Sequence, residues 1–139
     1  MKKLFLDTGF IIALEAADDQ NHQRALKHWQ SLSISSPPLI TTSFIFDEVV
    51  TFFNSRKRHS KAVEIGNLLL ASPSVELINI DKSLFNEAWR YFILHSDKSY
   101  SLTDCVSFIV MSQNKVHVAL TFDRHFVQAG FERNPISNL

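Results

Sequence analysis

Residues 116–123 read Val-His-Val-Ala-Leu-Thr-Phe-Asp, a short and mostly apolar run that ends on a carboxylate. Residues 3–7, which read Lys-Leu-Phe-Leu-Asp, repeat this arrangement near the start of the chain. Short apolar runs of this kind, bounded by polar residues, are typical of strands buried inside a sheet. We therefore predict two buried strands, one ended by Asp7 and the other by Asp123.

Around these two strands the sequence alternates between helical and strand-like stretches. Polar residues that can cap a helix precede several of the helical ones. Strands separated by helices indicate an α/β fold, with a parallel sheet covered on both faces. The predicted strands are Lys3–Leu6, Leu39–Thr42, Val75–Ile80 and Val116–Phe122. The predicted helices are Gly9–Ala16 (capped by Thr8), a helix capped by Asn21, Ser43–Ser55 (capped by Ser43), Ser60–Ala71 (with Val63, Leu68 and Leu69 inside), Asp81–His95 (capped by Asp81) and Asp104–Asn114.

Length and composition exclude several classes of protein. The chain has 139 residues, of which 45% are hydrophobic and 20% charged, as expected for one globular domain. Its single cysteine, Cys105, excludes an internal disulfide framework and a Cys-rich zinc site, and we expect it to be a small buried hydrophobe. Only three glycines occur, which excludes a P-loop and a dinucleotide-binding loop.

Charge and hydropathy bound the partners and the location. The 14 basic residues balance the 14 acidic ones, so any contact with nucleic acid must come from a local patch. No apolar run approaches the roughly 18 residues of a membrane span. The N-terminus begins like a signal peptide, but Asp7 interrupts its apolar run. We therefore predict a cytoplasmic protein without a membrane partner.

The helix predicted over Ser43–Ser55 is apolar on most of its circumference and carries one narrow polar stripe. Residues three and four apart share a helix face, which is how the polar positions of this helix are spaced. The stripe faces either solvent or a polar site. Its members are Asp47, Glu48, Thr51 and Ser55.

Four acidic residues are candidates for one site. Ligands of open parallel sheets bind beyond the carboxyl ends of the strands, where Asp7 and Asp123 are predicted. Glu48 belongs to the polar stripe, and Asp104 begins its helix, where capping also explains a carboxylate. Two carboxylates about 4 Å apart repel by about 4 kcal/mol at an effective dielectric constant near 20. A cluster of four therefore favours a hard divalent cation, Mg²⁺ or Mn²⁺, which suits phosphodiester hydrolysis.

At these acidic residues the sequence resembles the PIN-domain family, and within it the small VapC-type toxin ribonucleases. The resemblance rests on four segments in the expected order and spacing, and it covers nearly the whole chain. Each segment alone is a common pattern, whereas the four in series identify the family. The segments are Leu6-Asp7-Thr8, Thr42-Ser43 through Glu48-Val49, Ser101-Leu102-Thr103-Asp104, and Leu120-Thr121-Phe122-Asp123-Arg124-His125-Phe126.

The resemblance implies a three-layer α/β/α sandwich around a central parallel sheet, in one PIN-like nuclease domain over residues 1–139. It implies an endoribonuclease that depends on Mg²⁺ or Mn²⁺, and the toxin half of a toxin–antitoxin pair. RNA would be the substrate and a cognate antitoxin protein the partner. The resemblance assigns the catalytic and metal-binding roles to Asp7, Glu48, Asp104 and Asp123, with Thr8 and Thr121 as supporting hydroxyls.

The mechanism predicted on this basis is attack by water on phosphorus, in line with the leaving 3′ oxygen. Products would carry 5′-phosphate and 3′-hydroxyl ends, because the ribose 2′-hydroxyl is not the nucleophile. Asp7 and Asp104 are the first candidates for direct ligands. Glu48 and Asp123 are expected to act through water or on a second ion. Asp47 adds an acid beside Glu48, and the family pattern favours Glu48.

One basic run and the phenylalanines bear on partners. Arg56-Lys57-Arg58 follows the helix with the polar stripe, so it is either a solvated helix end or a contact for RNA phosphates. Arg124 is a further candidate, either for substrate contact or for pairing with an acid of the site, and for His125 we expect a structural hydrogen bond. The phenylalanines of residues 44–53 indicate core packing first, and a homodimer or antitoxin contact second.

Three other functions remain open from the sequence. The first is a PIN nuclease that processes RNA without being a toxin, and no sequence feature separates it from the toxin. The second is a module of the same fold that binds RNA or protein without catalysis, against which the four acids argue. The third is a phosphotransfer receiver, which requires paired acids after its first strand, and Asp7-Thr8-Gly9 lacks them.

Overall fold

The computed structural model describes residues 2–136, so the predicted domain extends beyond the described residues at both ends. Five strands alternate with seven helices in this part of the chain. The strands are β1 (Leu4–Leu6), β2 (Leu39–Thr42), β3 (Val75–Ile78), β4 (Val118–Leu120) and β5 (Glu132–Asn134). The helices are α1 (Thr8–Glu15), α2 (His22–Leu32), α3 (Ser43–Ser55), α4 (His59–Ala71), α5 (Lys82–Leu94), α6 (Leu102–Gln113) and α7 (His125–Gln128).

The strands form one sheet in the order β3-β2-β1-β4-β5, and every neighbouring pair is parallel. Phe5 at the centre pairs with Ile40 of β2 on one side and with Ala119 of β4 on the other. All three of these residues are fully buried, because helices cover the sheet. The predicted α/β/α sandwich with a central parallel sheet is thus confirmed.

The strand order locates a crevice at the carboxyl edge of the sheet. From β1 the chain proceeds outward through β2 and β3, and it then returns to the other side of β1 to form β4 and β5. The connections that leave β1 and β4 therefore diverge between these two strands. A crevice opens at such a reversal of strand order, and it is the usual ligand site of open α/β sheets. Asp7 directly follows β1, and Asp123 lies three residues beyond β4.

Capping residues differ from the prediction at two helices. Asp7 rather than Thr8 is the N-cap of α1, and no side chain caps that helix. Thr42 rather than Ser43 caps α3, accepting a hydrogen bond from the backbone N–H of Ile45 at 3.2 Å. The Ser43 hydroxyl is engaged elsewhere, because it accepts from the N–H of Ile80 at 3.0 Å.

Two further capping residues were predicted. Asn21 precedes α2 as expected, but its side chain makes no capping bond. Asp81 caps α5 as predicted, accepting a hydrogen bond from the N–H of Leu84 at 2.9 Å. Of the four predicted caps, this is the one whose side chain holds the first turn of the helix.

The buried face of α4 also differs from the prediction. Val63 and Leu68 were expected inside, but they are 47% and 56% exposed, whereas Leu69 is buried as predicted. The buried positions are Ala62, Ile65, Gly66 and Leu69, which repeat at helical spacing and form the opposite stripe. Gly66 allows close packing on α3, since a Cβ there would lie 3.2 Å from the ring of Phe46.

Other boundaries moved by a few residues, and two elements were not predicted. The fourth strand begins at Val118 rather than Val116, because the N–H of Val116 closes the end of α6 on the carbonyl of Met111 at 2.9 Å. Helix α6 begins at Leu102, two residues before the predicted start. The predictions contained neither β5 nor α7.

The core confirms two predictions about side chains. Cys105 is fully buried, and burial raises the pKa of its thiol to about 11. Phe53 is fully buried in the core, against which Phe44, Phe46 and Phe52 are partly buried. Among the described helices, none combines the length and hydropathy needed to cross a membrane.

Candidate active site at the carboxyl edge of the sheet

Asp7 is the most deeply buried acid of the crevice, with 7% of its surface exposed. Its N–H continues the pairing of β1 with β4 by donating to the carbonyl of Leu120 at 3.1 Å. Its Oδ2 accepts a short hydrogen bond, 2.6 Å, from the hydroxyl of Thr121. Burial raises the pKa of Asp7 to about 7, and the nearby charges of Asp104 and Asp123 contribute in the same direction.

Asp104 is held at the start of α6 by a reciprocal pair of hydrogen bonds. The Ser101 hydroxyl accepts from the N–H of Asp104, and Asp104 Oδ2 accepts from the N–H of Ser101, both at 3.0 Å. This capping box fixes a carboxylate at the positive end of the helix dipole. Burial nevertheless raises the pKa of Asp104, and the charge of Asp123 adds to that effect.

Asp123 follows β4 in a short turn that is ordered by its own polar groups. Its N–H donates to the Thr121 hydroxyl at 2.9 Å, and its Oδ1 accepts from the N–H of His125 at 2.9 Å. Thr121 therefore bonds to both aspartates, donating to Asp7 and accepting from Asp123. One side-chain oxygen each of Asp104 and Asp123 and a ring nitrogen of His125 lie within 4.8 Å of one another.

Glu48 reaches the crevice from α3. Its Oε1 accepts a hydrogen bond of 2.6 Å from the hydroxyl of Thr8, the residue that follows Asp7. Its neighbour Asp47 instead accepts from Thr51 of the same helix at 3.3 Å. Of the two adjacent acids, Glu48 is thus the one directed toward the end of β1, and its side chain remains exposed.

Within residues 2–136, the basic side chain that contacts these acids is His125. Among the same residues, no lysine or arginine forms an ion pair with Asp7, Glu48, Asp104 or Asp123, and His125 contacts Asp104 and Asp123. Burial disfavours the charged form of a carboxylate and is the main reason for the raised pKa values of Asp7 and Asp104, to which the charges of neighbouring aspartates add. A site of carboxylate oxygens that no lysine or arginine of the described residues neutralises fits a hard divalent cation such as Mg²⁺ or Mn²⁺.

The predicted basic residues lie in two places. Arg124 is exposed and directly follows Asp123. Residues 56–58 lie at the far end of α3, about 12 Å along the helix axis from Glu48 at 1.5 Å per residue. The Arg56 guanidinium stacks 3.6 Å from the ring centroid of Phe52, and that of Arg58 lies 5.2 Å from Phe53.

The sequence interpretation missed three participants. His125 does make hydrogen bonds, as expected, but it makes them to the site carboxylates, and Ser99 contacts its other nitrogen. Arg24 lies 5.1 Å above the ring of Phe122, the residue that precedes Asp123. The Asp-Arg-His spacing could have indicated His125, since an aspartate side chain in a turn often accepts from the backbone N–H two residues on, as Asp123 does here. No local signal indicates Arg24 or Ser99.

Comparison with known proteins agrees with this architecture. The PIN domain family model matches residues 4–132. Two proteins named 23S rRNA-specific endonuclease VapC20, from the CDC 1551 / Oshkosh and H37Rv strains of Mycobacterium tuberculosis, are each 34% identical over 129 residues. The alignment covers 92% of this chain and 95% of each relative.

Solved structures give the same answer. The crystal structure of Mycobacterium tuberculosis VapC20, a Sarcin-Ricin loop cleaving toxin, superposes with a TM-score of 0.84 and 32% identity, covering 92% of this chain and 95% of that one. FitAcB from Neisseria gonorrhoeae superposes with a TM-score of 0.66 at 16% identity, over 94% of this chain and 95% of that one, and supports the fold alone. The family match spans most of the sequence, and the protein belongs to the PIN-domain family.

Proposed function

We propose that this protein is an endoribonuclease that hydrolyses phosphodiester bonds of RNA and is the toxin of a toxin–antitoxin pair. The observation that carries the proposal is a group of carboxylates located where the strand order reverses, of which Asp7 and Asp104 are buried and none pairs with a lysine or arginine of the described residues. The 34% identity to a 23S rRNA-specific endonuclease over 92% of the chain supports it.

We propose that the site uses Mg²⁺ or Mn²⁺. Asp7 and Asp104 would bind the ion directly, and Glu48 and Asp123 would act through water or on a second ion. When bound, the ion lowers the pKa of a water molecule and stabilises charge on a phosphate oxygen. The donor set consists of carboxylates, which such hard ions prefer.

The side chains around the acids supply orientation. Thr121 holds Asp7 and the turn at Asp123, and Thr8 holds Glu48. The capping box fixes Asp104 at the start of α6. With the carboxylates fixed before substrate binds, less reorganisation is needed during the reaction. We expect 5′-phosphate and 3′-hydroxyl products, because no step requires the ribose 2′-hydroxyl.

The substrate we propose is ribosomal RNA, on the basis of the VapC20 relatives. Its phosphates would meet Arg124 beside the acids and the basic residues 56–58 farther along α3. A cognate antitoxin protein is the proposed partner, and a homodimer remains a prediction.

The test is cleavage of 23S rRNA in purified ribosomes, with product ends mapped by sequencing. We expect cleavage with Mg²⁺ or Mn²⁺, none with EDTA, and a loss of about 100-fold or more in Asp104→Asn, since the ion's contribution is worth several kcal/mol. Asp47→Asn is the matched control, because Asp47 bonds within α3 and should retain activity.

Three results would contradict the enzymatic proposal: activity that survives EDTA, full activity in Asp104→Asn, or 2′,3′-cyclic phosphate ends. The toxin role has its own test, the arrest of growth on expression of the wild type but not of Asp104→Asn. Cleavage in vitro without growth arrest would instead favour an RNA-processing nuclease.

A further inference from the structure

His125 places its imidazole between two acids of the site. Its Nδ1 lies 3.3 Å from Asp104 Oδ2, and 3.1 and 3.2 Å from the two carboxylate oxygens of Asp123. Asp104 and Asp123 come from different elements, the start of α6 and the turn after β4. The imidazole is therefore the one described side chain that contacts both carboxylates.

The second nitrogen of the ring is also engaged. The Ser99 hydroxyl lies 3.1 Å from His125 Nε2. A hydroxyl can donate to Nε2, and Nδ1 then carries the ring hydrogen and donates it toward the carboxylates. The buried ring of Tyr100 packs edge-on at 5.5 Å between centroids and restricts rotation of the imidazole.

We propose that Ser99 and His125 form a positioning pair that sets the spacing of the Asp104 and Asp123 carboxylates for cation binding. Like charges separate unless a donor is shared between them, and the Nδ1–H group is the donor placed to be shared. The main-chain N–H of His125 also donates to Asp123, so one residue fixes that carboxylate from two directions. The inference rests on the proposed metal site and concerns residues that only contact its ligands.

Amide side chains give a matched pair of variants. The amide nitrogen of Asn reaches the position of Nδ1, whereas that of Gln reaches the position of Nε2. His125→Asn thus keeps a donor toward the carboxylates, and His125→Gln removes it. His117→Gln is the control, because His117 is exposed and lies at the other end of β4.

The readout is Mn²⁺ affinity without RNA, measured as the decrease of the free Mn²⁺ signal in electron paramagnetic resonance. We expect His125→Gln to weaken the affinity about 10- to 100-fold, the usual effect of removing a group that orients metal-binding side chains. His125→Asn should remain within about threefold of the wild type, and His117→Gln should not differ from it. In cleavage assays at fixed Mn²⁺, kcat should fall in His125→Gln while KM for RNA is unchanged.

Ser99→Ala keeps the imidazole and removes the hydroxyl that selects its tautomer. We expect a smaller loss of Mn²⁺ affinity in Ser99→Ala than in His125→Gln. If thermal unfolding shows that His125→Gln does not fold, Ser99→Ala provides the test. Equal affinities in the Asn and Gln variants, or wild-type affinity in both Gln and Ser99→Ala variants, would overturn the proposal. Because this measurement uses no RNA, a protein that binds Mn²⁺ as expected but cuts no RNA contradicts the proposed function alone.

Discussion

Two charged regions of this protein are built in opposite ways. The acidic site collects groups that are far apart in sequence, such as Asp7 and Thr121, which are 114 positions apart and joined by a buried hydrogen bond. The basic turn at residues 56–58 is assembled from its own neighbourhood, with each guanidinium on a phenylalanine four or five residues earlier. The acidic site needs the whole fold, and the basic turn needs the end of one helix.

The two regions also differ in what they cost the fold. Burial disfavours the charged forms of Asp7 and Asp104, so the acidic site opposes folding unless a cation enters it. The basic turn is exposed and its charges remain hydrated. A buried group that destabilises the fold is stronger support for function than an exposed group that does not.

The largest expected effect is on the pH dependence of the free energy of unfolding, which measures how much the buried acids destabilise the fold. The pKa of Asp7 is raised from 3.8 to about 7, so between these values the unfolded chain is ionised while the folded chain keeps its proton. The unfolded state then binds fewer protons, and the free energy of unfolding falls by about 1.4 kcal/mol per pH unit as pH rises. Asp7→Asn lacks this loss, so its stability relative to the wild type should rise by about 3 kcal/mol from pH 4 to pH 7, because both titrations are incomplete at the ends of this range.

The measurement is urea unfolding of both proteins in EDTA across this range. Groups that titrate equally in the two proteins cancel in the comparison. Added Mn²⁺ should stabilise the wild type above pH 7 and leave Asp7→Asn nearly unchanged, since a ligand that binds only the folded state stabilises it. Parallel curves of stability against pH for the two proteins would show that the pKa of Asp7 is not raised in the folded state.

Features that depend on residues close together in the sequence could be predicted, whereas features that depend on residues far apart in the sequence could not. The strand positions and the acids after them could be predicted, because an apolar run and the polar residue that ends it are adjacent in the sequence. The strand Glu132–Asn134 could not, since its residues carry no apolar pattern and its pairing comes from the backbone of β4. Val63 and Leu68 were misplaced because α4 is apolar on several sides, and its contact with α3 selects the buried one.

The site shows the same division. Ser101 and Asp104 have capping-box spacing, which is visible in the sequence. The contact of His125 with Asp104 depends on bringing the start of α6 beside the turn after β4, which no local pattern encodes. The choice between Thr42 and Ser43 as a cap likewise depends on Ile80, 37 positions beyond Ser43.

The second prediction asks whether the basic turn contacts RNA. In a non-cutting Asp104→Asn background, changing residues 56–58 to glutamine should reduce the slope of log affinity against log salt by about 2, if each residue neutralises one phosphate of a single strand. Binding is measured by fluorescence anisotropy of a labelled RNA. The control removes three exposed cations near the opposite edge of the sheet, Lys2, Lys3 and Lys115.

The control should leave the salt slope unchanged. An equal decrease in both triple variants would mean that the RNA responds to total charge rather than to the turn. An unchanged salt slope in both triple variants would mean that the basic turn is a solvated helix end without a role in RNA binding. Of the two charged regions, only the acidic site would then be functional.

The smallest expected effect concerns the backbone of the turn. The N–H groups of Lys57 and Arg58 bond to the carbonyls of Asn54 and Phe53, a Schellman motif, and they place Lys57 at φ 59°. That left-handed conformation costs a residue other than glycine about 1–2 kcal/mol. Lys57→Gly should therefore raise the free energy of unfolding by about 1 kcal/mol, measured by urea unfolding, whereas Lys57→Gln should not.

The same two variants separate charge from strain in RNA binding. If Lys57→Gly and Lys57→Gln weaken RNA binding equally, the charge of Lys57 contributes to binding although its backbone conformation destabilises the fold. The basic turn and the acidic site would then both contain functional groups that lower stability. If neither weakens binding, the lysine is incidental to RNA, and burial without a counter-charge distinguishes the acidic site. A destabilised Lys57→Gly would contradict the premise, because the turn would then depend on contacts of the lysine stem rather than on the backbone.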